Sequence, residues 1–141
     1  MKKKILVVED EEGLRLFYEE ELGSEGYEVI TAANGKEAIQ KLEEDKPDLV
    51  VLDIVMPVMD GMEALGRIVS KERKIPIILN TSYSGYQEDF MSWAADAYVT
   101  KSSDLNELKK KIRELLKISE KSKNLWLPDY ETMTPIRNPL K

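Results

Sequence analysis

Acidic side chains in this sequence stand at the ends of short apolar runs. Glu9 and Asp10 follow the run Lys4–Val8, and Asp53 follows the run Leu49–Leu52. Carboxylates that are packed together repel one another, which raises the pKa of at least one of them unless a cation lies among them. Hard divalent cations prefer oxygen ligands, so these three acids, once brought together, predict a Mg²⁺ site. Taken alone, Asp53 also reads as a residue that only caps the following turn.

A hydroxyl and an ammonium group stand at similar places later in the chain. Thr81 and Ser82 close the apolar run that begins at Ile75, and Lys101 follows the run Ala97–Thr100. An aspartate surrounded by a metal ion, an ammonium and a hydroxyl is equipped for phosphoryl transfer, because the carboxylate can attack phosphorus while the other groups hold the equatorial oxygens. Taken one at a time, the same residues read as the acidic first turn of a helix, a loop hydroxyl and a solvated lysine.

Five strands that alternate with five helices would position these groups. The strands are predicted at Lys4–Val8, Tyr27–Ala32, Leu49–Leu52, Ile75–Leu79 and Ala97–Thr100. The first helix is predicted to end near Leu22, and the second to begin at the Asn34 cap. The third includes Met62, Leu65 and Ile68, and the fourth spans Gln87–Ala94. The fifth follows a capping box of Asp104 and Glu107. Such alternation indicates a parallel sheet covered on both faces, whose strands share one carboxyl edge. The acids, the hydroxyl and the ammonium are therefore expected to meet at that edge.

The composition excludes several classes of function. With 141 residues, the chain is long enough for one domain with a real core. It contains 21 Lys and Arg against 27 Asp and Glu, and the net charge of −6 argues against a nucleic-acid-binding surface. Neither cysteine nor histidine is present, which excludes disulfides, thiolate chemistry, Ser-His triads and the usual zinc ligands. The first apolar run stops at Glu9, too early for a signal peptide, and nothing else spans a membrane, so a cytoplasmic protein is expected.

Four motifs stand in an order and at spacings that resemble those of a known family. They are VVEDE at 7–11, LDIVMPVMDG at 52–61, NTS at 80–82 and YVTK at 98–101. Over about residues 4–118 the sequence is similar to the receiver domain of two-component response regulators. The resemblance implies a doubly wound, flavodoxin-like parallel sheet of five strands in the order 2-1-3-4-5, with five helices. It also implies that Asp53 is the phospho-acceptor, that Asp10 binds Mg²⁺ directly, that Glu9 holds it through water, and that Val55 contributes a backbone carbonyl.

The resemblance extends to the groups around the phosphoryl site, with two departures. It implies that Thr81 and Lys101 hold the phosphoryl group and that Tyr98 is an aromatic switch, although a tyrosine in a short strand reads equally well as half-buried surface. Ser102 follows the lysine where the family usually has a proline in a cis linkage. A cis bond without proline costs about 2.5–4 kcal/mol, so the loop is expected to have a different shape. Ser82 replaces the more usual alanine.

The function implied by the resemblance is that of a single-domain response regulator. It would act as a phospho-acceptor rather than as a conventional enzyme. The donor would be a sensor histidine kinase or a histidine phosphotransfer protein, and the chain's own lack of histidine fits the acceptor side. Phosphorylation would change contacts with a downstream protein through the fourth helix, the fifth strand and the fifth helix. Direct contact with nucleic acid or with a membrane is not expected.

The lifetime of the phosphorylated state should depend on two side chains. Val55 and Tyr83 lie two positions beyond Asp53 and Thr81, where they should flank the water that hydrolyses the aspartyl phosphate. Valine cannot orient that water and tyrosine is bulky enough to shield it, so slow self-dephosphorylation is predicted.

Other functions fit the sequence less well. A phosphatase of the haloacid dehalogenase type also uses an aspartate after a buried strand, but it needs a second aspartate where Val55 stands. A flavin-binding module of similar fold is disfavoured because four acids after the first strand would repel its phosphate. A degenerate receiver used as a scaffold is disfavoured because the acceptor, metal, threonine and lysine positions are all filled.

The last part of the sequence reads as a tail or linker. The receiver domain is predicted over residues 1–118, and residues 119–141 contain three prolines and scattered apolar side chains. This segment is too short for a DNA-binding output domain of around 60 residues. Two interpretations stay open for it. It is either a disordered end or linker, or a segment that docks through Leu125–Leu127 on a partner or a second copy of the chain, which would give a dimer.

Overall fold

A computed structural model describes residues 2–53, 63, 66–68, 75–82 and 95–124, with the backbone alone described over 119–124. Five strands form one sheet: β1 (Lys4–Val8), β2 (Glu28–Ala32), β3 (Leu49–Leu52), β4 (Ile77–Thr81) and β5 (Ala97–Thr100). All neighbouring strands are parallel, and their order is β2-β1-β3-β4-β5. The predicted fold class and strand order are therefore confirmed.

Helices cover both faces of the sheet. They are α1 (Glu12–Gly23), α2 (Gly35–Asp45) and the C-terminal helix (Asn106–Asn124). One face packs into an apolar cluster with α2 and the helical residue Ile68. The other face packs into a second cluster with α1 and the C-terminal helix. Because both faces are buried, β1 and β3 are apolar along nearly their whole length, and β4 is apolar up to Leu79, as in other parallel sheets.

Local signals in the sequence set the helix ends. The side chain of Asn34 accepts a hydrogen bond from the backbone N of Glu37 at 2.9 Å, and Glu37 reaches back to the N of Ala33 at 2.8 Å. This reciprocal pair satisfies backbone donors at the start of α2, as the predicted cap requires. Lys46, with a φ of 49°, ends that helix in the left-handed region, and Gly26 adopts a φ of 98° in the turn before β2.

Several predicted boundaries differ from those in the structure. β4 spans Ile77–Thr81 rather than Ile75–Leu79, because Pro76 has no N–H for the ladder and precedes the strand. β2 begins at Glu28 rather than Tyr27. At the start of the C-terminal helix, the side chain of Asp104 accepts a hydrogen bond from the backbone N of Asn106 at 2.9 Å. The predicted capping box would instead pair that side chain with the backbone N of Glu107. That helix continues to Asn124. The domain boundary at residue 118 stays a prediction.

Some predictions concern residues outside the described ranges. Of the predicted third helix, the structure gives helical backbone at residues 63 and 66–68, with Ile68 buried. The fourth helix, Gln87–Ala94, lies outside the described residues, as do Val55, Tyr83 and the segment Leu125–Leu127. The number of five helices therefore stays a prediction. Among the helices that are described, none combines the length and the hydropathy of a membrane span.

Candidate functional site

The strand register brings the predicted site residues to one edge of the sheet. Val8 pairs with Leu52, which pairs with Leu79 on the next strand. The residue after each strand is still held by the ladder, because Asp53 N donates to Val8 O at 3.1 Å and Lys101 N donates to the carbonyl oxygen of Thr81 at 3.0 Å. These hydrogen bonds therefore fix the backbone that carries the Asp53 and Lys101 side chains.

Three carboxylates converge at this edge. Glu9 and Asp53 are buried, with 2% and 5% of their surfaces exposed, whereas Asp10 is exposed. One oxygen atom from each of the three carboxylates lies within 4.8 Å of the others. The structure thus brings together the acids that the sequence singled out.

The ammonium group of Lys101 lies between two of the acids. Its Nζ is 2.6 Å from Glu9 Oε1 and 3.0 Å from Asp53 Oδ2. The contact with Glu9 Oε1 is an ion pair between a buried carboxylate and the ammonium. The other oxygen, Oε2, accepts one from the backbone N of Glu11 at 3.1 Å.

Burial and the neighbouring charge shift the pKa values of Glu9 and Lys101 in opposite directions. Burial raises the pKa of the Glu9 carboxyl above its ordinary value, although the Lys101 ammonium opposes this rise. Burial alone would lower the pKa of Lys101, but its contacts with Glu9 and Asp53 outweigh that effect and raise it. The lysine therefore remains charged at neutral pH.

The donor set fits a hard divalent cation. All the converging acidic ligand atoms are carboxylate oxygens, which Mg²⁺ prefers. Among the described residues, one ammonium lies beside two of the three carboxylates. Glu9, Asp10 and Asp53 are thus the described residues that could hold a metal ion.

A contact that the sequence did not reveal shapes the acidic loop. Arg15 Nη1 donates hydrogen bonds to the backbone carbonyl oxygens of Glu9 at 2.8 Å and Asp10 at 3.0 Å. The guanidinium therefore ties the loop between β1 and α1 to the first turns of the helix. The available signal was a single arginine in an otherwise acidic helix start, which is too common to interpret alone.

The remaining predicted residues lie close to the same edge or outside the described ranges. Thr81 ends β4 and is buried, with 1% of its surface exposed. Tyr98 is half-buried on β5, pairs in register with Leu79 and packs against the apolar cluster on the α2 side of the sheet. No cis peptide bond occurs among the described residues, so the bond from Lys101 to Ser102 is trans.

Comparison with known proteins identifies the family of this domain and several related proteins. The family described as the response regulator receiver domain matches residues 5–113. The chain is 38% identical over 125 residues to the alkaline phosphatase synthesis transcriptional regulatory protein PhoP of Bacillus subtilis, covering 85% of this chain and 51% of the relative. It is 33% identical over 118 residues to the sporulation initiation phosphotransferase F of the same species, covering 82% and 95%. The chain thus spans about half the length of the matched transcriptional regulators.

Solved structures give the same result. The response regulator TrrA of Thermotoga maritima, in complex with Mg²⁺ and BeF, is 50% identical with a TM-score of 0.76, covering 80% of this chain and 98% of that chain. In a complex of the histidine kinase ThkA with TrrA, the matched chain is 51% identical with a TM-score of 0.75, covering 81% and 98%. A CheY-like receiver domain protein of Methanospirillum hungatei is 31% identical with a TM-score of 0.81, covering 86% and 99%.

Proposed function

Because the chain belongs to the receiver domain family of two-component response regulators, we propose that it is a Mg²⁺-dependent phospho-acceptor that is phosphorylated on Asp53. The observation that carries the proposal is the convergence of a buried Asp53 with two more carboxylates and one ammonium at the carboxyl edge of the sheet.

The chemistry assigned to Asp53 is nucleophilic attack. A carboxylate oxygen forms a bond to phosphorus while the bond from phosphorus to the donor's imidazole nitrogen breaks and leaves its electron pair on that nitrogen. Asp10 and Asp53 would hold Mg²⁺, with Glu9 acting through water and Val55 through its carbonyl. When bound, the ion would neutralise charge on the carboxylates and on the phosphoryl oxygens.

Lys101 and Thr81 would hold the transferred group. The Lys101 ammonium is 3.0 Å from Asp53 Oδ2 and remains charged, so a short movement would let it pair with a phosphoryl oxygen. The Thr81 hydroxyl would hold a second oxygen, and the Tyr98 ring would follow its movement. This switch would change contacts made by the predicted fourth helix, β5 and the C-terminal helix.

The proposed donor is a sensor histidine kinase or a histidine phosphotransfer protein. The complex of ThkA with a chain 51% identical to this one supports the kinase. The expected lack of nucleic-acid contact stays a prediction for the receiver domain. The matched relatives include transcriptional regulators, and the chain covers about half of their length.

The test is labelling by acetyl phosphate followed by intact-mass measurement. We expect one added phosphoryl group in the presence of Mg²⁺, and its loss in Asp53→Asn and in samples treated with EDTA. Asp45→Asn is the matched control, because it makes the same charge change at the end of α2 and should be labelled normally. Equal labelling of Asp53→Asn, or labelling without a metal ion, would contradict the assignment.

A further inference from the structure

A buried polar pair lies behind the site, outside the set of residues so far assigned a role. Asn80 has 3% of its surface exposed and Tyr18 has 2%. The amide Nδ2 of Asn80 donates to the Tyr18 hydroxyl at 3.0 Å. The two residues belong to β4 and α1, so the hydrogen bond joins the sheet to the helix.

The hydrogen bond between Asn80 and Tyr18 lies in the apolar core. Side chains alternate along a strand, so Asn80 shares a face with Ile78, which packs in the same apolar cluster as Tyr18. A polar amide buried among apolar side chains destabilises the fold unless it is hydrogen-bonded. The Tyr18 hydroxyl supplies the hydrogen bond that the buried Asn80 amide needs.

The pair is connected to the site through short, continuous contacts. Asn80 directly precedes Thr81, whose carbonyl oxygen accepts the hydrogen bond from the backbone N of Lys101 at 3.0 Å. Lys101 in turn reaches Glu9 and Asp53 with its ammonium group. Tyr18 and Lys101 also line one cleft of about 360 Å³.

The pKa of the Tyr18 hydroxyl is affected by the charged groups of the site. Burial raises the pKa of the Tyr18 hydroxyl, and the charges of Lys101, Glu9 and Asp53 all act on it.

We propose that the hydrogen bond between Tyr18 and Asn80 is a positioning contact that fixes the end of β4 against α1 and so sets the backbone from which Lys101 reaches Asp53. Tyr18 and Asn80 are positioning residues, since neither is assigned a contact with the phosphoryl group. The kinetic part of the test rests on the proposed phosphorylation of Asp53, and the spectroscopic part does not.

Two variants separate positioning from simple stability. Tyr18→Phe removes the hydroxyl, keeps the ring and leaves the amide unpaired. The double variant Tyr18→Phe, Asn80→Leu replaces both partners by apolar groups of similar shape, which can restore stability without restoring the hydrogen bond. Tyr27→Phe is the control, because it removes the hydroxyl of a tyrosine that packs against the same cluster, just before the edge strand β2.

The measurements are urea unfolding, the initial rate of labelling by acetyl phosphate, and the Cε–H signal of Lys101 in NMR spectra. In Tyr18→Phe we expect labelling to slow about fivefold, equivalent to about 1 kcal/mol, with a shifted or broadened Lys101 signal. In the double variant we expect stability to return while the slow labelling and the altered signal persist. Tyr27→Phe should match the wild type in rate and signal.

Two results would overturn the proposal. One is a double variant whose rate and Lys101 signal return to the wild-type values together with its stability, since the pair would then be only a core contact. The other is a Tyr18→Phe variant with an unchanged Lys101 signal. If the wild type itself is not labelled, the proposed phosphorylation fails, and the NMR comparison still decides whether the pair positions Lys101.

Discussion

Replacing Lys101 by methionine should reveal how strongly its ammonium holds the site together. Methionine keeps much of the length of the side chain but removes the charge that lies 2.6 Å from Glu9 and 3.0 Å from Asp53. Both carboxylate side chains are almost completely buried, with 2% and 6% of their surfaces exposed. The variant would therefore remove the ammonium group from beside two adjacent buried carboxylates.

The magnitude follows from the burial of the partners. Removing one partner of a buried ion pair typically costs 3–5 kcal/mol, and the lysine side chain is 19% exposed, which places the expected loss near the lower end, at about 3 kcal/mol. With an m-value of about 2 kcal/mol/M, the urea midpoint should fall by about 1.5 M. The loss should shrink at acid pH. Glu9 already has a raised pKa, and without the ammonium it would bind a proton still more readily in the folded state.

The assay is urea unfolding followed by circular dichroism, in EDTA and again in Mg²⁺. Lys109→Met is a matched control, because Lys109 also pairs with two carboxylates, Glu21 at 3.0 Å and Glu25 at 3.5 Å. The side chains of Glu21 and Glu25 are 39% and 36% exposed, much more than those of Glu9 and Asp53, so the control should lose far less stability. Mg²⁺ should recover more stability in Lys101→Met than in the wild type, because the ion supplies the missing positive charge and binds the folded state.

An equal loss in the two lysine variants would refute this reasoning, since burial of the carboxylates would then have no special effect. A Lys101→Met variant that gains no more from Mg²⁺ than the wild type would refute the charge argument for the metal site.

The remaining predictions concern the phosphorylated state. Beryllofluoride with Mg²⁺ should change amide exchange between Ser84 and Leu108, because the proposed switch alters that face by a few kcal/mol of differential contact; changes confined to the acidic loop would count against the switch. Loss of phosphate should be faster in the double variant Val55→Asn, Tyr83→Glu than in the wild type, since polar side chains can orient the attacking water, and each tenfold in rate is about 1.4 kcal/mol. If the double variant decays at the wild-type rate, water access at these positions does not set the lifetime.

The sheet and its functional edge could be predicted because few arrangements satisfy a set of buried parallel strands. β1, β3 and β5 have the predicted bounds, since apolar runs of this length end where a polar residue or a turn begins. Parallel pairing then places the residues after the strands at one edge, whatever the details of the helices. The convergence of Glu9, Asp10 and Asp53 follows from topology alone.

Side-chain partnerships at that edge could not be predicted in the same way. Lys101 was expected among the acids, but whether its ammonium would pair with Glu9, with Asp53 or with both depends on torsion angles that strand patterns do not determine. The structure shows that it contacts both. Likewise, the hydrogen bonds of Arg15 to two carbonyl oxygens depend on where the first turns of α1 lie relative to the acidic loop.

Asn80 shows where sequence reasoning could have gone one step further. Its place within NTS suggests a polar loop, and the strand was predicted to end at Leu79, whereas β4 continues to Thr81. A strand extended by these residues would have put Asn80 on the same face as Ile78, and a buried amide there requires a hydrogen-bond partner. The need for a partner was thus readable from the sequence. Its identity was not, because Tyr18 is 62 residues away and is brought to Asn80 only when α1 packs on the sheet.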